Sequence, residues 1–369
     1  KYNFMLKQQK IFFDFLRFCI GSAKEIPDSL KEADWKELYR IAQKQALLGV
    51  LFHGIKRLPK ELAPEQKLLM QWMAMAEQIR KQNIKLFQDS MKVCQNFENV
   101  GFVNCILKGQ GNALLYPDHY MRTPGDIDIY LSGGRRKIMK YVDRVCPNQV
   151  MRYHHVDFPV MKTAIEVHFI PSYMFFPVHN RRMQKWFGKV MDLQCSNVVT
   201  LPDGYGEITV PTMSFNVIYI LSHLYRHVFT EGIGLRQLID YYFVLVKSEE
   251  RRVKNLTALQ RELKYLGLWK FAGAVMYVLH ETLGLPEEKM IAPINVNEGR
   301  FLLAEIMQGG NFGQYDIRHG SKENEGKLHC YLRMSLRNLR FVKHYPTEAL
   351  SEPLFRTWFA LWKKILGIR

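Results

Sequence analysis

Cysteines are few in this chain, and no two of them lie close together. The six are Cys19, Cys94, Cys105, Cys146, Cys195 and Cys330. A disulfide framework or a zinc finger needs clustered cysteines, so this spacing excludes both and predicts free thiols in a reducing compartment.

Long apolar runs are missing as well. No stretch reaches the roughly 18 apolar residues of a membrane-spanning helix, so we expect no membrane span. The apolar segment 11–21 is interrupted by Asp14 and Arg17 and has no small-residue cleavage site, which predicts an amphipathic helix and not a signal peptide. We therefore expect a cytoplasmic protein.

Acidic residues are scarce relative to basic ones. Lys and Arg number 52 against 35 Asp and Glu, a formal net charge of +17. This excess predicts a surface that attracts polyanions, and it leaves nucleotide phosphates, nucleic acid and an anionic membrane face as alternatives. Apolar residues make up 47% of the chain and aromatic residues 13%, which excludes a largely disordered protein.

The distribution of strand signals divides the chain into three regions. Such signals are almost absent from the first 100 residues, where apolar residues recur at helical spacing, and helical spacing returns after Pro211. The segments with strand character are residues 102–107, 126–131, 151–160, 164–169, 195–201 and 207–210. The predicted regions are therefore helical over residues 1–100, α+β over residues 101–211 and helical over residues 212–369.

Two acidic residues in the second region suggest a metal site. Asp126 and Asp128 are two positions apart on a predicted strand, so both side chains leave the same face, ~7 Å apart along the backbone. Mg²⁺ suits such a pair, because it prefers oxygen ligands and keeps several waters for substrate phosphates. A pair of ions about 4 Å apart could bind the attacking and leaving oxygens of a phosphoryl displacement. The alternative is a solvated strand face with no metal.

Polar residues on either side of this strand favour the metal site. Lys108 and Gly109 lie upstream in the sequence LKGQG, a strand-to-helix turn of the kind that exposes backbone N–H groups to phosphate oxygens, although an ordinary turn has the same pattern. Downstream, IEVHF places Glu166 and His168 on one face of an apolar strand. A glutamate in that setting needs a partner, and a metal shared with the two aspartates would be one.

These motifs resemble a known family. KG, YPDxxxR, GDID and IEVH, followed by HLYRH and GIGLRQLID, are similar to the motifs of a bacterial family of uncharacterised nucleotidyltransferases. More broadly, a glycine-containing turn, a D-x-D strand and a third acidic residue on a later strand resemble the DNA polymerase β-like nucleotidyltransferase superfamily. The resemblance covers residues 107–240. It implies an α+β fold with a small mixed β-sheet as the nucleotidyltransferase core, flanked by N-terminal and C-terminal helical regions.

The resemblance also implies a mechanism. Asp126 and Asp128 would hold Mg²⁺ (or Mn²⁺), and Glu166 would complete the metal site and accept a proton. The proton would come from an acceptor hydroxyl that attacks the α-phosphate of a nucleoside triphosphate, expected to be ATP, with release of pyrophosphate. Whether the acceptor is a small molecule, RNA or a protein is left open.

The same resemblance assigns the triphosphate contacts. Gly109 would let the backbone approach the triphosphate. Gln110 stands where the superfamily usually has a serine that contacts phosphate, so Lys108 or Arg122 would take over that contact.

Two pairs of residues four positions apart add candidates on the following helices. His223 and His227 could ligate zinc, face the cleft and contact phosphate or acceptor, or be buried against the next helix; the glutamate that a zinc protease needs beside the first histidine is absent. Arg236 and Asp240 are predicted to pair with each other or with the histidine helix, and Arg236 could instead reach a phosphate.

A basic stripe near the C-terminus supports a second hypothesis. Arg333, Arg337 and Arg340 fall on one side of a predicted helix, where they could follow a nucleic-acid backbone, line the triphosphate channel or form a solvated face. On this alternative, the chain is a catalytically silent member of the fold that binds nucleic acid or a protein partner through its basic helices.

Overall fold

Four helices form the N-terminal part of the chain. The computed structural model describes residues 2–248, 256–319 and 326–367. The helices are α1 (Tyr2–Ile20), α2 (Trp35–Lys44), α3 (Leu48–Ile55) and α4 (Gln66–Asn99). Helix α2 begins where the Asp34 carboxylate accepts hydrogen bonds from the backbone N–H groups of Lys36 and Glu37, which satisfies two donors that a helix leaves free at its start. The segment predicted to be amphipathic lies inside α1, and its apolar side is buried.

A four-stranded mixed sheet follows. Its strands are β1 (Asn104–Ile106), β2 (Ile127–Leu131), β3 (His155–Asp157) and β4 (Ile165–His168), in the order β1-β2-β4-β3. Strands β2 and β4 run parallel, whereas β1 and β3 pair antiparallel with their neighbours. Helices α5 (Gln110–Ala113), α6 (Gly134–Val145) and α7 (Pro177–Gln194) and the small hairpin of β5 (Val198–Thr200) and β6 (Glu207–Thr209) complete this part. The fold is α+β, as the sequence predicted.

Seven helices lie in the C-terminal part that the structure describes. They are α8 (Met213–Thr230), α9 (Leu235–Lys247), α10 (Leu256–Tyr265), α11 (Trp269–Leu283), α12 (Val296–Gly309), α13 (Lys327–Val342) and α14 (Pro346–Ile365). The apolar pattern of the sequence predicts a last helix over residues 353–366, but α14 begins seven residues earlier, at Pro346. Glu348 anchors the added turn, because its buried carboxylate accepts hydrogen bonds from the backbone N–H groups of Phe175 and Phe176. No helix of the described ranges combines the length and the apolar character needed to cross a membrane.

The N-terminal and C-terminal helices share one hydrophobic core. Buried side chains of α1 and α3 belong to the same cluster as those of α8, α9 and α11, and α1 packs directly against α11. A second cluster lies between α4, α6 and the four-stranded sheet. The sheet is therefore held against α4 on one side, and the region boundaries at residues 100 and 211 stay a prediction.

The connecting segment between α5 and β2 (residues 114–126) is fixed by helices from the N-terminal part. Asn83, buried in the middle of α4, donates hydrogen bonds from Nδ2 to the carbonyl oxygens of Tyr120 and Arg122, at 2.8 and 2.7 Å. Gly49 of α3 lies against the carbonyl of Met121, so close that a β-carbon there would come within 2.3 Å of its oxygen. The position of Asp126, at the end of this segment, thus depends on α3 and α4.

Candidate active site

The parallel pairing of β2 and β4 brings two of the predicted carboxylates together. In their register Asp128 lies opposite Glu166, and the side chains of both leave the same face of the sheet. His168, two positions after Glu166, lies on that face as well. Its Nε2 is 3.0 Å from Asp128 Oδ1 and 3.5 Å from Glu166 Oε2. The antiparallel strand β3 adds His155, whose Nδ1 is 3.2 Å from Glu166 Oε2.

Asp128 is a buried carboxylate held by two cationic or polar partners. Lys108 Nζ lies 3.0 Å from Asp128 Oδ1, the same oxygen that His168 contacts. Burial on its own would raise the pKa of Asp128, but the charge of Lys108 and the hydrogen bond from His168 lower it far below its usual range. Burial would likewise lower the pKa of His168, but its hydrogen bonds to Asp128 and Glu166 raise it.

Asp126 immediately precedes β2 and lacks such partners. Within the described ranges, no side-chain cation lies within 4.0 Å of its carboxylate. The charge of Asp128 and burial raise the pKa of Asp126 to about 6. Unneutralised negative charge is therefore concentrated at this end of β2, which is the condition that favours a bound cation.

Among the described residues, three groups of side chains offer metal-ligating atoms within 4.8 Å of one another: Asp128–Glu166–His168, His155–Asp157–Glu166 and His154–His155–His168. The first contains two of the three predicted carboxylates. Asp126 belongs to none of these groups, and the third position is taken by His168, for which the sequence predicted a place on the same strand face but no role. The structure thus brings Asp128 and Glu166 together, and Asp126 lies at their margin.

The predicted phosphate turn lies beside the carboxylates. Gly109 has φ +60° and ψ −110°, a backbone conformation that a side chain disfavours, and a β-carbon there would be 3.5 Å from the carbonyl oxygen of Asp126. Helix α5 is only four residues long, so it contributes little helix dipole. Gln110 is buried within it, and Lys108 is the side chain of the turn that faces the carboxylates.

Arg122 and Arg236 form a buried cationic wall with Asp240. Arg122 donates from Nε and Nη2 to the two Asp240 oxygens, each at 2.8 Å, and Tyr116 donates to Asp240 Oδ1 at 2.7 Å. The sequence predicts that Arg236 and Asp240 pair with each other or with the histidine helix. Among the described residues there is no direct ion pair between them, because Asp240 pairs with Arg122. Burial and the charge of Arg122 lower the pKa of Arg236 to about 10.

Helix α8 supplies the opposite wall. Arg226 Nη2 lies 3.4 Å from His223 Nδ1 and 3.1 Å from His227 Nε2, and Lys108 Nζ lies 3.2 Å from His223 Nε2. Burial, reinforced by Lys108 and Arg226, lowers the pKa values of both histidines, so both are neutral at pH 7. Neither histidine belongs to the metal-ligating groups of the described chain, which leaves the zinc alternative without support.

These walls enclose a cavity of about 280 Å³. Its lining includes eight of the predicted site residues: Lys108, Gly109, Arg122, Asp126, Asp128, Glu166, His223 and Arg236. Gln110 is not part of the lining. His155 and Arg226 line the cavity and were not predicted. The predicted hairpin brought His155 close to His168, and the structure pairs these two residues directly. Arg226 had no signal beyond its place between two histidines.

A second cavity of about 570 Å³ adjoins the first, and two of the three arginines of the basic stripe on α13 line it. Arg333 and Arg337 line it, and Arg337 is buried. Arg340 instead forms ion pairs with Glu305 and Asp316. Over the described length of α13 the three arginines therefore do not make the continuous exposed track that nucleic-acid binding would need.

Comparison with known families gives one match. The sequence model of a family described as "Uncharacterised nucleotidyltransferase" matches residues 31–284, more than two thirds of the 369-residue chain. The matched range contains every residue of the smaller cavity except Phe312. No curated protein and no solved structure matches the chain.

Proposed function

The chain belongs to the family of uncharacterised nucleotidyltransferases, and from this we propose that it moves a nucleoside monophosphate from a nucleoside triphosphate to a hydroxyl group of an acceptor. ATP is the expected nucleotide, and pyrophosphate is the leaving group. One observation carries the proposal: the register that sets Asp128 opposite Glu166 at the edge of a cavity with cationic walls. The sequence motifs support a place in the DNA polymerase β-like superfamily and a bacterial source, and the six free thiols support a cytoplasmic location.

The donor set at this edge fits a divalent cation. Asp126, Asp128 and Glu166 offer carboxylate oxygens, the ligands that Mg²⁺ and Mn²⁺ prefer, and the raised pKa of Asp126 reflects negative charge that its neighbours leave uncompensated. These three residues would hold the metal. When bound, it would neutralise charge on the triphosphate and on the oxygens that exchange at phosphorus.

The cations of the cavity suit the triphosphate. Lys108, Arg122 and Arg236 line the cavity, and Nη1 of Arg122 and Nε of Arg236 have no hydrogen-bond partner in the described structure. A buried guanidinium group with an unused N–H is poised to bind an anionic oxygen. We assign the β- and γ-phosphates to this wall.

We assign to Glu166 the role of accepting the acceptor proton. Burial would raise its pKa, but the hydrogen bond from His168 lowers it, so Glu166 is ionised at neutral pH. In the transfer step the acceptor oxygen bonds to the α-phosphorus, and the bond from that phosphorus to the oxygen bridging to the β-phosphate breaks. The bridging oxygen leaves with the electron pair as part of pyrophosphate, and the hydroxyl proton passes to Glu166.

The test is nucleotide transfer by the purified chain. Each α-³²P-labelled nucleoside triphosphate is incubated with the protein, Mg²⁺ or Mn²⁺ and cell extract, and the labelled acceptor is identified. We expect label transfer from ATP that the double variant Asp126→Asn/Asp128→Asn abolishes while its circular dichroism stays unchanged. Asp143→Asn, which removes an exposed carboxylate on α6, is the matched control.

Full transfer by the double variant would contradict this mechanism. A wild-type protein that labels nothing, yet binds RNA or DNA with an affinity that falls steeply with salt, would favour the catalytically silent alternative.

A further inference from the structure

The larger cavity opens beside the proposed reaction centre. Four residues line both cavities: His155, Glu166, Arg226 and Glu231. Glu166, the proposed proton acceptor, therefore lies at the junction. A molecule in the larger cavity can present a hydroxyl group to Glu166 while the nucleotide occupies the smaller one.

Two buried arginines in the wall of the larger cavity have no carboxylate partner. Arg226 is 9% exposed and Arg337 is 8% exposed. Across the described parts of the chain, no carboxylate oxygen lies within 4.0 Å of a guanidinium nitrogen of either residue. Nε of Arg226 has no hydrogen-bond partner there at all. Burying a cation without a nearby anion costs free energy, so these two side chains favour the binding of an anionic ligand.

In the described structure the hydrogen-bond and ring contacts of the two arginines are to neutral groups. Arg226 contacts the imidazoles of His223 and His227 and lies over the Tyr173 ring, 5.2 Å from its centroid. Arg337 contacts the side-chain oxygen of Asn338 at 3.4 Å and lies over the Phe341 ring.

Two carboxylates in the wall of the larger cavity are paired with other arginines. Asp316 is paired with Arg318 at 2.8 Å, and Glu352 with Arg356 at 3.0 Å. In the described structure neither of them lies within ion-pair distance of Arg226 or Arg337.

We infer that the larger cavity binds the acceptor and that the acceptor is an alcohol bearing a phosphate group, an inference that rests on the proposed function. Two guanidinium groups suit phosphate, because its several oxygens can accept from both forks at once. The apolar part of the acceptor lies against Tyr153, Tyr173 and Phe355, whose rings line the same cavity. Arg337, Phe355 and the rest of α13 and α14 lie outside the family match at residues 31–284, so this chain selects its acceptor with helices beyond the matched region.

Phosphate binding by the full-length chain tests the inference. The protein is first saturated with Mg²⁺ and α,β-methylene ATP, which fills the triphosphate site, and inorganic phosphate is then titrated and followed by ³¹P NMR. Arg337→Gln should weaken phosphate binding by about tenfold or more, the usual effect of losing a charge-assisted hydrogen bond. Arg337→Lys, which keeps the charge, should retain part of the affinity. Arg300→Gln, which removes an exposed arginine of α12, is the control and should bind phosphate like the wild type.

The result separates this inference from the proposed function. Affinity for α,β-methylene ATP is measured in the same variants, and its absence in the wild type would contradict the proposed function. Phosphate binding that Arg337→Gln leaves unchanged, or that the ATP analogue abolishes, would overturn the acceptor assignment, because the anion would then lie in the triphosphate site. No phosphate binding at any concentration would overturn it as well.

Discussion

Replacing Asp240 is the single substitution that should most destabilise the cationic wall formed by Arg122 and Arg236. Asp240 accepts two hydrogen bonds from Arg122 and one from Tyr116, and it is 6% exposed. Asp240→Asn keeps the shape of the side chain but removes its charge. Arg122, which is buried, then loses its ion-pair partner.

The expected loss of stability follows from this geometry. Removing one partner of a buried ion pair costs about 3–5 kcal/mol, because it leaves a buried charge uncompensated. Against a total unfolding free energy of about 5–15 kcal/mol, such a loss is large. Tyr116→Phe is the matched comparison. It removes one hydrogen bond to the same carboxylate without changing any charge, and it should cost only about 1.5–3 kcal/mol.

Urea unfolding of the three proteins at several pH values checks the reasoning. Burial would raise the pKa of Asp240, but the ion pair with Arg122 lowers it below its ordinary value. A carboxylate with a lowered pKa stabilises the fold above its unfolded pKa of about 3.9 and loses that effect as the pH falls through the folded value.

The gap between wild type and Asp240→Asn should therefore be full at neutral pH and shrink only below pH ~4. A variant within about 1 kcal/mol of wild type at neutral pH, or no more destabilised than Tyr116→Phe, would refute the role given to this ion pair.

Two further substitutions probe the metal edge. Lys108→Met should tighten Mn²⁺ binding by about tenfold, because the ammonium group that lies 3.0 Å from Asp128 competes with a metal for that carboxylate. The same substitution should weaken nucleotide binding. Electron paramagnetic resonance of Mn²⁺ measures the first effect, and unchanged Mn²⁺ affinity would argue against a metal ligand role for Asp128. Gly109→Ala should cost about 1–3 kcal/mol in urea unfolding because of its φ of +60°. Gly188→Ala on α7, where a β-carbon meets nothing within 4 Å, should cost nothing.

Much of the fold could be read from local patterns. Apolar spacing predicts a helix over residues 65–100, and α4 covers Gln66–Asn99, because a 34-residue amphipathic helix carries a strong periodic signal. The alternation of apolar and polar residues around Asp128 predicted β2, because a strand has a period of two residues. The start of α14 was missed, since its first turn is held by Glu348 through contacts with residues more than 170 positions away.

Candidate site residues could be predicted where a local sequence pattern marks them. Contacts between residues far apart in the sequence could not be predicted in this way. Asp128 and Glu166 were found because each stands on a strand with an apolar pattern. Spacing predicts that Arg236 and Asp240 pair with each other or with the histidine helix, but Arg122 forms the ion pair with Asp240. The choice between two arginines depends on how the connecting segment packs on α9, and spacing along one helix carries no information about that.

Strands β2 and β4 pair in parallel, and a long excursion of the chain (residues 132–164) separates them. Parallel pairing of this kind closes slowly, because the entropy of a long loop is lost before its contacts form. A newly synthesised chain can therefore have most of its helices and still have no carboxylate pair. Catalytic competence would then be among the last properties that the protein acquires on the ribosome or after dilution from denaturant, and a folding intermediate rich in helix would not consume nucleotide.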